Sequence, residues 1–561
     1  MMVMEMDKKE IKVKKIKLKN KKLTLILLII LLLTLTGSGY IGYTIYQNKM
    51  IDSIHKNLKT TIQTKKNAKI YDNNKKEIAT TKESIILELS SIKKKAKYYK
   101  IKNTNLYISY KDIKNNTNLK KEKKDNNIYE SLQTKIQTKS KTDLIKDNKK
   151  IITIFKGMTM SLESIDDNYY YINFLNQIFK IKKNKNIKEI NNKNTNNNSV
   201  SVIHYEKINN ICQDDNCLLT ESVKRHIELL KNNKYYFITK DDYIKFVKGY
   251  INLKENAILL TTGEENEFVK SIEEQYKISI PVIKENDSIS FITTNKKSER
   301  KEDLKKLNRY QPTKYTIIDD YLKMAKGEEI TPTNKEDLAT DIPVVNYHFF
   351  FDSSLGEKCN ESICLEASKF EEQLKWITDN NYKTVTINEF ADWKEGYIEL
   401  PKHSVLLTID DGGIGTSKIN GNKLMPLLEK YKQHATLFFI TAWGELSDYQ
   451  SPYLDVQSHS FDLHYEARCP DGRGMVACSD YKTVKEDLEK SLNILSGDNT
   501  SFCFPFYSYD RESLQALKDL NFRIAFVGGN RRANRNQNNY LITRYPILDD
   551  ITLDEFVSII K

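Results

Sequence analysis

Residues 405–413 read VLLTIDDGG, an uninterrupted apolar run that ends in two aspartates and two glycines. A run of this kind is typical of a parallel β-strand that is buried on both faces. In α/β barrels the reacting groups lie at the C-terminal ends of such strands. Adjacent aspartates at a strand end point in different directions, so one of Asp410 and Asp411 can bind a metal ion while the other accepts a proton. An ordinary turn is the commoner explanation of DDGG taken alone.

A gapless internal repeat places this strand in a duplicated unit. Residues 212–261 align with residues 359–408, and 13 of these 50 positions are identical, including both cysteines of each copy. Most identities are Cys, Gly, Tyr, Leu and Thr, so the Lys-rich and Asn-rich composition of the chain does not explain them. After the aligned strand, the second copy has two aspartates at 410–411, whereas the first has GE at the aligned positions 263–264. We therefore expect the chemistry in the second copy only.

Each copy alternates predicted strands and helices. The strands cover 201–205 and 343–347, and the amphipathic helices cover 221–232 and 368–379. Alternation at this spacing favours right-handed βαβ units and a parallel sheet or barrel. The fold class predicted for this part of the chain is therefore α/β, with a partial and degenerate first copy.

A second motif, SHSFDLH at residues 458–464, follows a predicted strand at 453–457. The chain has only eight histidines, and two of them, His459 and His464, stand five positions apart here. Two imidazoles and one carboxylate can bind Zn, Fe, Ni or Co and leave positions open for water and substrate. Two surface histidines in a loop are the ordinary explanation of this pair by itself.

A third motif, FCFPFY at 502–507, predicts an apolar strand closed by proline and aromatic residues. The order TIDDG, SHSFDLH and FCFPFY resembles the polysaccharide deacetylases of the NodB-homology class, carbohydrate esterase family 4. The resemblance spans residues 341–561 and includes the stretches IPVVNYHFF and HATLFFIT. It implies a distorted (β/α) barrel, NodB-like, and an enzyme that hydrolyses the N-acetyl groups of GlcNAc or MurNAc residues in polymers.

The resemblance also implies roles for individual residues. Asp410 would be the general base. A divalent metal, zinc or alternatively cobalt, nickel or iron, would be bound by Asp411, His459 and His464. The Phe506 backbone N–H is expected to face the oxyanion that forms during hydrolysis. The aromatic stretch is expected to contact the sugar, and its residues are Pro505, Phe506 and Tyr507.

Two departures from the family pattern affect the catalytic groups. Cys503 stands where the family usually carries an arginine that orients the catalytic aspartate, and Arg544 in LITRYPI can supply that charge from a later strand. The family's last motif usually offers a histidine as general acid, yet no histidine follows His464. His348 is a spare candidate for this role, although a core histidine with only structural contacts is the commoner case.

The N-terminal sequence predicts export. Residues 1–22 hold nine lysines, and residues 23–46 carry no charge. This order predicts a basic cytoplasmic tail and a single transmembrane anchor, with the rest of the chain outside the cell. The alternative is a cleaved signal peptide and a secreted protein. Disulfides are permitted outside the cell, and buried free thiols are the alternative. Cys503 is left over, and the predicted pairs are Cys212–Cys217, Cys359–Cys364 and Cys469–Cys478.

Composition divides the chain between the anchor and the C-terminal domain. We predict a stalk at 47–64, β-rich modules that loosely resemble bacterial SH3-like domains at 65–190, an Asn-rich linker at 191–200, and the degenerate repeat at 201–330. The catalytic domain is predicted at 341–561. The β modules are expected either to contact the cell wall or to act as spacers.

The 561 residues have a formal net charge of +14, and their mean hydropathy of −0.58 excludes a polytopic membrane protein. These features predict a membrane-anchored, metal-dependent hydrolase that removes N-acetyl groups from peptidoglycan or from a GlcNAc exopolymer. The alternative is a non-catalytic wall- or glycan-binding protein in which both copies are degenerate. No nucleic-acid partner is expected, because the lysines are spread along linkers and no recognition motif is present. The oligomeric state is left open.

Overall fold

In a computed structural model, the chain is described at residue 49 and over residues 58–92, 96–114, 129–130, 132–190, 199–284, 287–413, 415, 423–466 and 469–561. It divides into two compact units, one of residues 1–196 with Tyr250–Leu253 and one of the remaining residues. The predicted basic tail at 1–22 and the predicted anchor at 23–46 lie outside the described residues. Of the helices that are described, none has the length and apolar character needed to cross a membrane.

The first unit is built from antiparallel strands. They are β1 (Thr61–Thr64), β2 (Lys69–Tyr71), β3 (Glu77–Thr81), β4 (Ile86–Glu88), β5 (Tyr98–Lys100), β6 (Tyr107–Ser109), β7 (Ile113–Lys114), β8 (Tyr129–Glu130), β9 (Leu132–Thr138), β10 (Thr142–Lys146), β11 (Lys149–Ile154), β12 (Thr159–Ile165), β13 (Tyr169–Phe174), β14 (Gln177–Lys182) and β15 (Ile187–Ile190). In the described residues all of them except β8 form two sheets, an eleven-stranded one with the order β15-β9-β12-β13-β14-β10-β11-β3-β2-β6-β5 and a three-stranded one with the order β4-β1-β7. Residues 65–190 are thus β-rich, while the likeness to SH3-like domains stays a prediction.

The predicted stalk at 47–64 is wrong at its C-terminal end. Residues 61–64 form β1, in which partly buried and buried side chains alternate, and Ile62 is 1% exposed. Leu58 also packs against the apolar core of the first unit. Burial of these two side chains holds the segment in the sheet, because apolar surface is removed from water there.

The first copy of the repeat folds as a small α/β layer. Its strands are β16 (Ser199–Tyr205), β17 (Lys207–Asn209), β18 (Cys217–Leu219), β19 (Tyr236–Phe237), β20 (Asn252–Leu253), β21 (Ala257–Thr262), β22 (Phe291–Thr293), β23 (Ser298–Glu299) and β24 (Leu307–Arg309), and its helices are α1 (Thr220–Asn232), α2 (Lys240–Val247), α3 (Glu267–Tyr276) and α4 (Ile318–Lys326). β19, β21 and β16 run parallel, and β23 joins them antiparallel. The predicted linker at 191–200 is therefore two residues too long, because Ser199 and Val200 already belong to β16.

The C-terminal domain follows the same alternation. Its strands are β25 (Asp341–Ile342), β26 (Val344–Tyr347), β27 (Phe349–Phe351), β28 (Cys364–Glu366), β29 (Lys383–Thr384), β30 (Ser404–Asp411), β31 (Ala435–Phe439), β32 (Leu454–Ser458), β33 (Ser501–Cys503), β34 (Ile524–Gly528), β35 (Ala533–Asn534) and β36 (Ile542–Pro546). Its helices are α5 (Ala367–Asp379), α6 (Ile387–Lys394), α7 (Leu424–Tyr431), α8 (Tyr481–Ile494), α9 (Arg511–Asp519) and α10 (Leu553–Ile560). The predicted helix and strand boundaries in the repeat are accurate to within two residues.

Seven parallel strands of this domain close into a barrel. Their order is β26-β36-β34-β33-β32-β31-β30, and β30 pairs back with β26. The predicted α/β barrel is confirmed. Seven of the eight residues of β30 are buried, which fits its uninterrupted apolar sequence. Because all seven strands are parallel, their C-terminal ends lie at one rim of the barrel.

The strand register relates the two copies beyond the region that aligns in sequence. Val202 of β16 lies opposite Leu259, and Val344 of β26 lies opposite Leu406, the repeat equivalent of Leu259. By the same register His204 corresponds to Asn346. The gapless alignment misses this strand because the loop from β16 to the first cysteine is five residues shorter than the loop from β26.

Candidate active site

The C-terminal rim of the barrel gathers the predicted site residues. Asp410 and Asp411 end β30, and His459 follows β32 directly. Cys503 ends β33. Arg544 lies in β36, the neighbour of β26. Residues separated by up to 134 positions are therefore brought to one rim by the parallel arrangement of the strands.

Asp411, His459 and His464 form a compact cluster. The Asp411 Oδ1 atom lies 3.2 Å from His459 Nε2 and 3.0 Å from His464 Nε2. The His459 Nδ1 atom donates a hydrogen bond of 2.8 Å to the Cys503 carbonyl oxygen. Since a carbonyl oxygen can only accept, the neutral ring of His459 turns the lone pair of Nε2 towards the carboxylate of Asp411. A metal ion between the two acceptors, or a proton on Nε2, satisfies this contact.

The cluster therefore fits a divalent metal ion. Donor atoms that lie roughly 2.0–2.2 Å from one ion are separated from each other by roughly 3–3.5 Å, which agrees with the two distances above. The bond from His459 to a backbone carbonyl is the usual way in which a metal-binding imidazole is oriented. Two imidazoles and one carboxylate leave coordination positions open. Within the described residues, the groups of metal-binding side chains that lie close enough together all include His459.

Asp410 lies beside this cluster but is bound to different partners. Its carboxylate is 2% exposed and accepts two hydrogen bonds from Arg544, Nη1 to Oδ1 at 2.7 Å and Nη2 to Oδ2 at 2.8 Å. The Asn346 Nδ2 atom donates to Oδ2 at 3.2 Å. Burial alone would raise the pKa of Asp410, but the charge of Arg544 lowers it to about 2. Asp410 is therefore ionised, and Arg544 and Asn346 hold its carboxylate in place.

Arg544 is itself fully buried. Besides Asp410, it donates to Asn346 Oδ1 at 2.9 Å and to Thr408 Oγ1 at 3.1 Å. Its Nη2 atom lies 2.8 Å from the Sγ atom of Cys503. The arginine thus reaches Asp410 from β36, past the small side chain of Cys503. This arrangement accounts geometrically for a cysteine at the position where the resemblance leads one to expect an arginine.

Several residues at the rim have left-handed backbone conformations that side chains disfavour. The φ angle is 73° at Asp411, 76° at Ser460, 53° at Phe506 and 57° at Tyr507. Such conformations cost about 1–3 kcal/mol each and collect at functional sites, where the surrounding structure enforces them. Gly412 follows with a φ of 83°, and an added Cβ atom there would lie 3.0 Å from the Phe439 ring. The backbone of the rim is therefore strained around the Asp–His cluster.

The predicted sugar-contacting residues occupy different environments. Phe506 is 40% exposed, and its ring centroid lies 4.5 Å from that of His464. Tyr507 is half-buried, and its hydroxyl accepts a hydrogen bond of 2.8 Å from Asn346 Nδ2. Pro505 is buried, and its contact with the sugar stays a prediction. Its ring begins the turn that carries Phe506 to the surface, because proline fixes the φ angle needed there.

His348 lies at the edge of the cluster. Its Nε2 atom is 4.0 Å from Asp410 Oδ2, and its side chain is 16% exposed. Burial lowers the pKa of His348, although Asp410 and Asp411 oppose that shift. The ring therefore lies beside the Asp410 carboxylate, which distinguishes it from a core histidine that has only structural contacts.

Sequence reasoning missed three further residues around the site. Asn346 is hydrogen-bonded to Asp410, Arg544 and Tyr507. It occurs in the stretch IPVVNYHFF, and the one sequence feature that could have indicated a site residue is its position one residue before the end of a strand. Asp487 in α8 accepts hydrogen bonds from the backbone N–H groups of Phe461 and Asp462, at 2.8 and 2.9 Å. Trp443 follows β31 and is 51% exposed. No sequence motif marks Asp487 or Trp443, because only the fold brings them to the rim.

An Asp487→Ala variant is expected to bind zinc about 10- to 100-fold more weakly, since Asp487 fixes the loop between His459 and His464. The measurement is competition with a chelator of known zinc affinity. Asp498→Ala is the matched control, because Asp498 accepts a hydrogen bond from the Gln457 side chain in β32 rather than from the backbone of the histidine loop. Equal zinc affinity of the parent and the Asp487→Ala protein would contradict the prediction.

The predicted disulfides are present. They join Cys212 to Cys217, Cys359 to Cys364 and Cys469 to Cys478. Cys503 is a buried free thiol. The loop closed by the third disulfide contacts the aromatic stretch at Gly474, where an added Cβ atom would lie 2.9 Å from the Phe506 ring. This glycine allows the loop to approach the edge of the site.

Comparisons with known proteins concern the same domain. Residues 398–525 match the family model described as polysaccharide deacetylase. The poly-beta-1,6-N-acetyl-D-glucosamine N-deacetylase of Staphylococcus aureus (strain MSSA476) is 28% identical over 224 residues, 36% of this chain and 74% of the relative. The solved structure of the Streptococcus pyogenes deacetylase PplD in complex with acetate covers 40% of this chain and 99% of its own, at 17% identity and a TM-score of 0.33. IcaB from Ammonifex degensii covers 40% and 97%, at 18% identity and a TM-score of 0.33.

Proposed function

We propose that this chain removes N-acetyl groups from a GlcNAc-containing polysaccharide by metal-dependent hydrolysis, since residues 398–525 match the polysaccharide deacetylase family model and the Staphylococcus aureus relative is 28% identical. The observation that carries the proposal is the pair of adjacent aspartates with separate partners. Asp411 faces two imidazole nitrogens at 3.0 and 3.2 Å, and Asp410 is ion-paired with Arg544. One carboxylate is thus available for a metal ion and the other for a proton.

Asp411, His459 and His464 would hold the metal ion, with zinc as the first choice because its preferred ligands are nitrogen and carboxylate oxygen. A bound divalent ion supplies Lewis-acid polarisation of the acetyl carbonyl and makes water a stronger nucleophile. Cobalt, nickel and iron accept the same ligands. His459 keeps the required tautomer through its bond to the Cys503 carbonyl oxygen.

Asp410 accepts the proton of the attacking water. Its carboxylate is held by Arg544 and Asn346 at the edge of the cluster, so it can take the proton as the water oxygen attacks the acetyl carbon. A C–O bond forms and the C–N bond breaks, which releases acetate and leaves an amine on the sugar. The Phe506 backbone N–H would donate to the carbonyl oxygen as negative charge develops on it.

His348 is the group best positioned to protonate the departing amine, because its Nε2 atom lies 4.0 Å from Asp410 Oδ2. A His348→Gln variant is therefore expected to lower kcat about 10²- to 10⁴-fold while zinc content is unchanged. The measurement is the rate of acetate release at saturating polymer, with zinc determined on the same samples. His434→Gln is the control, since His434 packs on Tyr453 away from the cluster. A kcat within about threefold of the parent would assign the proton donation to another group.

The polymer and the location complete the proposal. The Staphylococcus aureus relative is named for a β-1,6-linked GlcNAc polymer, which favours an exopolymer of that kind over peptidoglycan. Residues 23–46 would anchor the chain in the membrane and leave the barrel outside the cell, where disulfides are stable. Each deacetylation would add one positive charge to the polymer.

The test is acetate release by the purified full chain from poly-β-1,6-GlcNAc, peptidoglycan and chitin oligomers. Release that stops after chelation and returns with zinc is the expected result, and the substrate with the highest kcat/KM identifies the polymer. Binding of these polymers by the zinc-loaded protein without any acetate release would instead support a glycan-binding protein.

A further inference from the structure

Trp443 is an exposed aromatic residue fixed next to the metal cluster. Its side chain is 51% exposed, whereas Trp393 is fully buried. The Trp443 ring centroid lies 5.4 Å from that of His464, in an edge-to-face arrangement. On the other side of His464 lies Phe506, with its ring centroid at 4.5 Å. Large apolar side chains left in water beside a reactive centre indicate a binding surface.

Hydrogen bonds hold Trp443 in place. Its Nε1 atom donates to Asp462 Oδ1 at 2.9 Å, and the Tyr465 hydroxyl donates to the same oxygen at 3.2 Å. The backbone before Trp443 is tied to the histidine loop by two further bonds, Thr441 N to Ser460 O at 3.2 Å and Ala442 N to Phe461 O at 3.0 Å. The position of the indole ring is therefore fixed before any ligand arrives.

The remaining exposed surface of the Trp443 side chain is carbon. Its single polar atom is bound to Asp462, and the ring of Tyr465 packs beside it at 5.8 Å between centroids. The ligand for such a surface has an apolar face and a polar edge. A pyranose ring has this chemistry, since its C–H groups form the face and its hydroxyl groups point outwards.

We infer that Trp443 and Tyr465, oriented by Asp462, form a sugar-stacking subsite next to the reacting residue of the polymer. The inference rests on the proposed function for the identity of that sugar, GlcNAc. It makes the enzyme prefer a chain of several sugars over a single one, because the neighbouring unit contributes binding energy at Trp443. Asp462 is a positioning residue in this arrangement, since it acts through the two rings.

The test measures binding without turnover. Asp410→Asn protein is titrated with pentamers of β-1,6-linked and β-1,4-linked GlcNAc, and the affinity is measured by calorimetry. The same titrations are made with double variants that carry Trp443→Ala, Trp443→Phe or Tyr236→Ala besides Asp410→Asn. Trp443→Ala is expected to weaken binding about tenfold, and Trp443→Phe by about threefold or less, because it keeps an aromatic face. Tyr236 is the control, an exposed aromatic residue of the first copy.

Turnover provides the second readout. In protein with Asp410 intact, Trp443→Ala is expected to raise KM for the pentamer about tenfold, a larger change than any fall in kcat, and to affect the GlcNAc dimer much less. Asp462→Ala is expected to shift the same two parameters in the same direction. A rise in KM that is equal for dimer and pentamer would overturn the subsite, since it would mean a general loss of structure.

The outcomes separate this inference from the proposed function. Saturable pentamer binding that Trp443→Ala weakens, without acetate release by the parent, supports the subsite and contradicts the proposed function. Acetate release by the parent together with equal pentamer affinity of parent and Trp443→Ala overturns the subsite and leaves the proposed function intact.

Discussion

Replacing Asp410 by asparagine is expected to lower kcat about 10²- to 10⁴-fold, while the zinc content of the protein stays the same. The side chain of asparagine has nearly the same shape, but its amide cannot accept a proton from water. The two imidazole Nε2 atoms face Asp411, at 3.2 and 3.0 Å, and not Asp410, so metal binding is not expected to depend on Asp410. The measurement is acetate release at saturating polymer, with zinc determined on the same protein.

The matched variant is Asp411→Asn, which makes the same chemical change, carboxylate to amide, at the neighbouring residue. It is expected to lose zinc, because one of three ligands then has a weaker donor atom. The two variants are thus expected to differ: Asp410→Asn loses turnover and keeps zinc, whereas Asp411→Asn loses zinc. If Asp410→Asn kept more than about a third of the parent kcat, proton transfer would have to be assigned to another residue.

Replacing Arg544 by methionine is expected to lower the free energy of unfolding of the barrel by about 3–5 kcal/mol. Arg544 is fully buried, and its guanidinium makes two hydrogen bonds to the buried carboxylate of Asp410. Without the arginine, the buried charge of Asp410 loses the cation that β36 provides. An isolated buried charge is far more costly than the pair.

The control for this prediction is the double variant Asp410→Asn/Arg544→Met. It should recover much of the lost stability, because neither charge then remains buried without its partner. Unfolding is followed by tryptophan fluorescence in denaturant, which reports on the barrel because all three tryptophans of the chain lie between residues 376 and 443. If the double variant were less stable than Arg544→Met alone, packing of the arginine stem rather than charge pairing would be the main term.

The internal repeat made the fold predictable in unusual detail. Two copies of one pattern constrain each other, and the strands predicted at 201–205 and 343–347 and the helices predicted at 221–232 and 368–379 agree with the structure to within two residues. The β-rich segment was harder, because short strands in a polar sequence give no sharp boundaries. Residues 61–64 have the composition of a stalk, and only the burial of Ile62 in the core of the first unit shows why they form a strand.

The candidate site was predictable where its residues lie in motifs. Asp410, Asp411, His459 and His464 stand at strand ends or directly after them, and local sequence marks such ends. Arg544 was found only because the resemblance calls for a positive charge and the later strand LITRYPI offers one. Asn346, Asp487 and Trp443 were missed, since each acts through a partner more than 15 residues away.

The sequence by itself indicated the alternating strands and helices, the two aspartates and two histidines at predicted strand ends, and three local cysteine pairs, while the resemblance to the deacetylases implied the barrel. The strands, motifs and pairs depend on periodicity, on motif spacing and on short loops, which are local properties of the chain. Only the tertiary structure decided that Arg544 pairs with Asp410 across Cys503, that Pro505 is buried, and that Trp443 stands exposed beside His464. The physical reason is that closure of seven parallel strands brings distant residues to one rim, and contacts across that closure leave no periodic trace in the sequence.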